Sequence, residues 1–369
     1  VRILFVGDEA VFPVDLVDLV SAMGMDWEVE RCADADAAMN RTAAAALDVI
    51  LVAPELGDLP PATLLGQVRA LRPETSRIAV IDGNRAPPAR IIGLAHRFLP
   101  TPLAPEVLLE AIGSLEELRE LLDNADLRTR IGRVEQLPSP PQLYLQLMNA
   151  LEADDNASAS DIAGLVAGDP AIAAKVLQLC NSAYFSSGRT ITDLRAAVTR
   201  LGIATLRDLV LASEVFSLPA TPGVDRLALQ HRALLAARLA KRMLPESSAE
   251  LGATAALLAD IGMLLPGVRD ERQPLAEGDD RPGHAEAGAY LLGLWGLPMP
   301  IIEAVAFHRT PARSSTRSFW VTGAVHVAMA MAAGEAPDEA YLERTGVLSR
   351  LPEWRDYAES INVAPEAVA

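Results

Sequence analysis

The sequence predicts a doubly wound α/β unit with a five-stranded parallel sheet, followed by an all-α domain. Three observations predict it. Strand-like and helix-like stretches alternate over residues 1–122, a proline cluster at Leu137-Pro138-Ser139-Pro140-Pro141 interrupts the chain, and beyond it apolar residues recur only at helical spacing. Five βα units in succession require parallel strands covered on both faces.

The first strand is Arg2–Val6, and Leu16, Leu19, Val20 and Met23 carry the first helix. Trp27–Cys32 is a second strand, after which Asp34 or Asp36 caps a helix to about Ala46. Val49–Val52 is an unbroken apolar run, as a strand buried on both faces requires. Pro60 and Pro61 open a helix through Leu64, Leu65, Val68 and Leu71. Ile78–Ile81 is the fourth strand, a helix runs from about Pro88 to Ala95, and Phe98–Leu99 is the fifth. The last helix of the unit starts near Ala104 and keeps a leucine stripe through Leu115, Leu118, Leu121 and Leu122. That stripe serves either a connector or two-stranded coil, or packing on its own sheet.

Helices follow the prolines. Ser158 with Asp161 makes a capping-box start, and Asp169-Pro170 opens a helix to about Asn181. Thr192-Asp193 starts another that Gly202 closes, and Thr205 starts one through Val215. Later helices are expected over Leu227–Leu244, Ala249–Leu264, His284–Trp295, Met299–Phe307 and Phe319–Ala333. The domain reading is 1–122, a helical and proline-rich linker 123–141, a helical domain 142–335 and a C-terminal helical tail 336–369.

Hydrophobic residues are 50% and charged residues 22% of 369, which is globular material, and aromatics at 4% imply an aliphatic core. The net charge of −17, from 49 acids against 32 bases, excludes a broad nucleic-acid or anionic-membrane surface. A helix-turn-helix over Ser160–Asn181 fails for the same reason, since Lys175 is its only base. Cys32 and Cys180 make no disulfide framework and no zinc site, consistent with a reducing cytoplasm. No secretory or membrane segment is expected, because Leu251–Val268 contains Asp260 and is short for a span.

Residues 1–122 resemble the receiver domain of bacterial response regulators, through "ILFVGDE", "DVILVAPELGD", "RIAVIDG" and "RFLPTPLAPE". Receivers hold acids after the first strand, a phosphoacceptor aspartate ending the third, a hydroxyl residue after the fourth and Lys-Pro after the fifth. Here those positions read Gly7 and Asp8, Ala53, Asp82, and Thr101-Pro102. An alanine methyl cannot attack phosphorus, so the resemblance implies a receiver fold without its phosphoryl chemistry.

The helical region resembles the HDOD domain, a signalling module related to HD-type metal-dependent phosphohydrolases. The resemblance rests on "LPSPPQLYLQLMNAL", "DIAGLVAGDPAIAAKVLQLCNSAYF", "ITDLRAAVTRLGIATLRDLVLASEVF", "LLADIGMLL" and "HAEAGAYLLGLWGLPMPIIEAVAFH". HD enzymes bind metal through a helix histidine, a His-Asp pair and a distant aspartate. Here the helix histidine falls on His231, the pair reads Ala259-Asp260, and the distant position holds Met329. The resemblance therefore implies a remnant site of His231, Asp260, His284 and His308, with the catalytic pair lost. Between Arg226 and Arg242 there are five bases and no acid, so Arg238 and Arg242 are candidate ligands for a nucleotide phosphate or a solvated flank.

The expected function is bacterial two-component-type signal transduction in the cytoplasm, by protein–protein interaction or ligand sensing, without catalysis and without a cofactor. The expected partners are other signalling proteins, with a homodimer and a nucleotide ligand as alternatives and neither DNA nor membrane. The competing functions are a phosphohydrolase acting on a nucleotide or cyclic dinucleotide, and a non-catalytic nucleotide-binding effector.

Overall fold

The computed structural model describes residues 1–13, 16–82, 91, 94–122, 124–134, 158–168, 170–181, 191–202 and 223–362. Leu137–Pro141, Asp169, most of the Pro88–Ala95 helix and the helix starting at Thr205 lie outside the described residues.

The N-terminal sheet is parallel with strand order β2-β1-β3-β4-β5. Its strands are β1 (Arg2–Val6), β2 (Glu28–Cys32), β3 (Val49–Val52), β4 (Ser76–Asp82) and β5 (Arg97–Thr101). All four residues of β3 are buried, as its unbroken apolar run requires, whereas the edge strand β2 is half-buried at best. The helices are α1 (Leu16–Ala22), α2 (Ala35–Ala44), α3 (Pro61–Leu71) and α4 (Pro105–Leu121). Asp34 caps α2 by accepting from the Ala37 N–H, and prolines pre-set φ at the starts of α3 and α4.

A short helix α5 (Ala125–Gly132), capped by Asn124, leads out of the sheet unit. The helical domain comprises α6 (Ala159–Ala167), α7 (Pro170–Asn181), α8 (Leu194–Leu201), α9 (Arg226–Met243), α10 (Glu246–Leu258), α11 (His284–Leu294), α12 (Met299–Phe307) and α13 (Val321–Ala332). Ser158 and Asp161 form the expected capping box on α6, and Asp193 caps α8. The expected helix Ala249–Leu264 is instead two pieces, α10 and a 3-10 turn at Ile261–Leu264. The break falls at Asp260, whose side chain turns inward rather than capping the turn. The residues read as a tail form α14 (Glu339–Arg344) and α15 (Leu351–Asn362), and they pack on the bundle: Trp354 is buried and stacks on Phe319 at 5.2 Å. Among the described residues, no helix is long and apolar enough to cross a membrane.

The two units share a tight seam. The leucine stripe reaches it at Leu118, and Leu115 and Leu122 of the same stripe are buried too. Gly293 of α11 comes so close to α4 that a Cβ there would stand 2.4 Å from Leu118 Cδ1. Arg97 of β5 crosses the seam, donating to the Gly293 and Leu294 carbonyls at 2.8 and 3.3 Å. Its other terminal nitrogen donates to the Ala111 carbonyl and Ser114 Oγ, both at 2.5 Å. Gln178 of α7 adds a bond to the His96 carbonyl at 2.8 Å. Part of the face of β5 and α4 is thereby used within the chain, beside a cleft lined by Leu99, Val107 and Leu109.

Candidate functional site

Three helix ends converge in the helical domain. Asp260 follows α10, His284 is the first residue of α11, and His308 ends α12. All three are buried, and each offers a ligand atom within 4.8 Å of the others. The approach depends on Gly262, where a Cβ would sit 2.0 Å from the His284 carbonyl oxygen.

Asp260 organises the cluster. Its Oδ2 accepts from Arg232 of α9, through Nε at 2.8 Å and Nη2 at 2.5 Å. Its Oδ1 faces His284 Nε2 at 3.2 Å and His308 Nε2 at 3.7 Å. Neither imidazole Nε2 has a hydrogen-bond partner with good geometry. The ring protons follow from the other nitrogens. The Glu271 N–H donates to His284 Nδ1 at 3.1 Å, so the proton of the neutral His284 ring lies on Nε2. His308 Nδ1 meets the Val305 carbonyl at 2.8 Å and must donate, so its Nε2 presents a lone pair.

Burial alone would raise the Asp260 carboxyl, but His284, Arg232 and His308 hold it well below the usual carboxylate range. Burial lowers His308 to about 4, against the pull of Asp260. The pocket at neutral pH thus holds one anion balanced by one guanidinium, beside a neutral His308.

This donor set does not fit the divalent metal of the HD enzymes. The carboxylate that should bridge it is already ion-paired with Arg232, whose charge opposes a second cation on the same group. His284 offers a lone pair at Nε2 only if its proton moves to Nδ1, against the Glu271 N–H. Met329 at the distant position is buried and brings no hard ligand.

The structure brings Asp260, His284 and His308 together and leaves out His231, which is exposed. The reason is helical phase. Leu229, Ala233, Ala236, Leu239 and Met243 form the buried stripe of α9, and position 232 falls within it, three after 229 and four before 236. Arg232 is the residue sequence reasoning missed, and that stripe was the signal for it. Glu271, which sets the His284 tautomer, carried no such signal because it lies in an irregular segment. His326 has a packing role: its Nδ1 meets the His308 carbonyl at 2.7 Å and its Nε2 accepts from the Asp338 N–H at 2.8 Å.

The proposed phosphate face is partly spent. Arg242 lies 3.9 Å from Glu353 of α15, and Lys241 pairs with Glu250. Arg238 is exposed.

At the receiver-like positions the space beside Ala53 admits no side chain at position 7, while Gly7, Asp8 and Glu9 line an open cleft with Pro54 and Glu55. Gly7 has φ of +127°, and a Cβ on it would lie 2.3 Å from the Ala53 Cβ. Ala53 itself is buried. Asp8 is used as a cap, accepting from the Ala10 N–H at 2.9 Å, and Asp58 similarly accepts from the Ala35 N–H at 2.9 Å. Asp82 and Thr101 are neighbours in the β4–β5 register, both half-exposed.

Residues 137–276 match the HDOD domain family. An uncharacterized protein of Treponema pallidum (strain Nichols) is 28% identical over 196 residues, which cover 48% of this chain and 38% of that protein. The chain therefore matches about two fifths of the length of that curated relative. Among solved structures, the MmoQ response regulator of Methylococcus capsulatus aligns with 22% identity over 58% of this chain and 97% of its own, at a TM-score of 0.46. A virulence factor from Campylobacter jejuni aligns with 20% identity over 68% of this chain and 99% of its own, at a TM-score of 0.48. The receiver domain of an HD domain-containing protein from Pseudomonas fluorescens Pf-5 aligns with 25% identity over 32% of this chain and 88% of its own, at a TM-score of 0.27.

Proposed function

We propose that this chain, which carries an HDOD domain at residues 137–276 behind a receiver-like unit, signals by binding other proteins and performs no chemistry in either unit. Receiver–HDOD architecture is that of a signalling protein, and the absence of catalysis is the finer step. The observation that carries it is the Arg232–Asp260 pair. Metal-dependent hydrolysis needs a carboxylate free to hold a cation and a cation free to make hydroxide. Here the carboxylate is taken by a permanent organic cation that cannot activate water. Ala53 supports the same reading for the receiver-like unit, since it brings no nucleophilic carboxylate, and the Gly7–Ala53 contact leaves no room for an acidic side chain at position 7.

The output of such a protein is a surface. The partner expected is another signalling protein, in a bacterial cytoplasm. The test is turnover: purified protein with manganese, iron or zinc should leave generic phosphodiesters and cyclic dinucleotides intact. Hydrolysis that Asp260→Ala abolishes would establish the hydrolase in its place.

A further inference from the structure

We infer that the Arg232 guanidinium is the site's own structural cation, standing where a divalent ion would otherwise hold Asp260, His284 and His308 together. The inference deepens the non-catalytic reading of the HDOD unit and rests on it. A buried carboxylate needs a counter-charge, and Arg232 supplies it. It thereby fixes the Asp260 carboxylate, whose Oδ1 faces both imidazoles where three helix ends meet. Its side chain is 12% exposed and that of Asp260 is 5% exposed. Nε and Nη2 converge on Oδ2 alone, which leaves Oδ1 for the two imidazoles. The cation arrives covalently from α9, so the site needs no ion from solution.

The geometry retains what a metal would need if the guanidinium were removed. Oδ2 would lose its charged partner. His308 Nε2 already presents a lone pair, 3.7 Å from Oδ1. A proton on His284 Nδ1 would have Glu271 Oε2 at 3.4 Å as acceptor, but only if the Glu271 N–H turned away from that nitrogen. An imidazole at position 232 would complete two or three nitrogens and one carboxylate, a set suited to zinc or manganese.

The test uses the full chain and two readouts, bound metal by elemental analysis and the thermal midpoint with zinc, manganese or EDTA. Wild type should carry no stoichiometric metal, and none of the additives should move its midpoint. Arg232→His should bind metal and gain about 5 °C at saturating zinc. Arg232→His combined with Asp260→Asn should lose that gain. Two results overturn the inference: wild type binding one metal that Asp260→Asn removes, or a folded Arg232→His that neither metal stabilises. If Arg232→His does not fold, the wild-type and Asp260→Asn titrations still decide. Wild-type metal binding without turnover sinks this inference and leaves the proposed function standing. Turnover by metal-free protein does the reverse.

Discussion

Arg97→Met tests whether the two units behave as one body. The guanidinium makes four charge-assisted bonds, two within the receiver-like unit and two to the C-terminal carbonyls of α11. At about 1.5–2 kcal/mol each these bonds contribute about 6–8 kcal/mol. Burial pushes the Arg97 guanidinium down to about 10, so burying its charge costs about 3 kcal/mol, which methionine regains. The net loss is about 3–5 kcal/mol, the range expected when one partner of a buried charged contact is removed. That corresponds to a fall of about 5 °C in the thermal midpoint of a chain this long. The loss falls on the seam, so calorimetry should show one transition in wild type and two in the variant. Small-angle scattering should show a larger radius of gyration. Arg97→Lys should recover only part of the loss, because an ammonium cannot span all four acceptors. A variant that keeps one transition within about 2 °C of wild type would refute the reasoning and place the coupling in the Leu118–Gly293 contact instead.

Three further outcomes are expected. His308 is neutral when folded, with a value of about 4 against 6.5 in the unfolded chain, so the unfolded state binds the extra proton between those values and stability falls on acidification through that window. Denaturant titrations should show a loss approaching about 3 kcal/mol that His308→Gln lacks, and parallel wild-type and variant curves would contradict it. Acetyl phosphate with magnesium should leave the intact mass unchanged, and Gly7→Asp should lower the midpoint rather than restore the missing acidic position, since its Cβ meets Ala53. A phosphoryl adduct near Asp58 or Asp82 would count against the expectation that the unit takes no phosphoryl group. Gly262→Ala, placing a methyl 2.0 Å from the His284 carbonyl, should cost about 3 kcal/mol or more, while Gly57→Ala, with nothing within 4 Å, should stay within about 0.5 kcal/mol.

Much of the fold was legible because its signals are local. The β3 run at Val49–Val52, the caps at Asp34, Ser158 and Asp193, the prolines opening α3 and the start of α4 near Ala104 each act over a few residues, and each formed where expected. The lost phosphoacceptor at Ala53 and the lost His of the His-Asp pair were likewise visible as residue identities. Asp260, His284 and His308 could be nominated from the order of the segments around them.

What the sequence by itself determined is which elements form and which residues stand at the receiver-like and HD-like positions. Tertiary structure alone decided what those residues meet. Whether His231 or Arg232 enters the site depends on the rotational phase of α9, a difference of about 100° between adjacent residues, and packing against the bundle sets that phase. Whether the Leu115–Leu122 stripe serves a second copy or the same chain depends on α11 coming close enough for Gly293 to touch Leu118. The proton on His284 is placed by the Glu271 N–H, a backbone group identical in every residue but proline. Each of these rests on contacts between residues far apart in the chain, where local propensity is silent and only the folded geometry brings the partners within hydrogen-bonding distance.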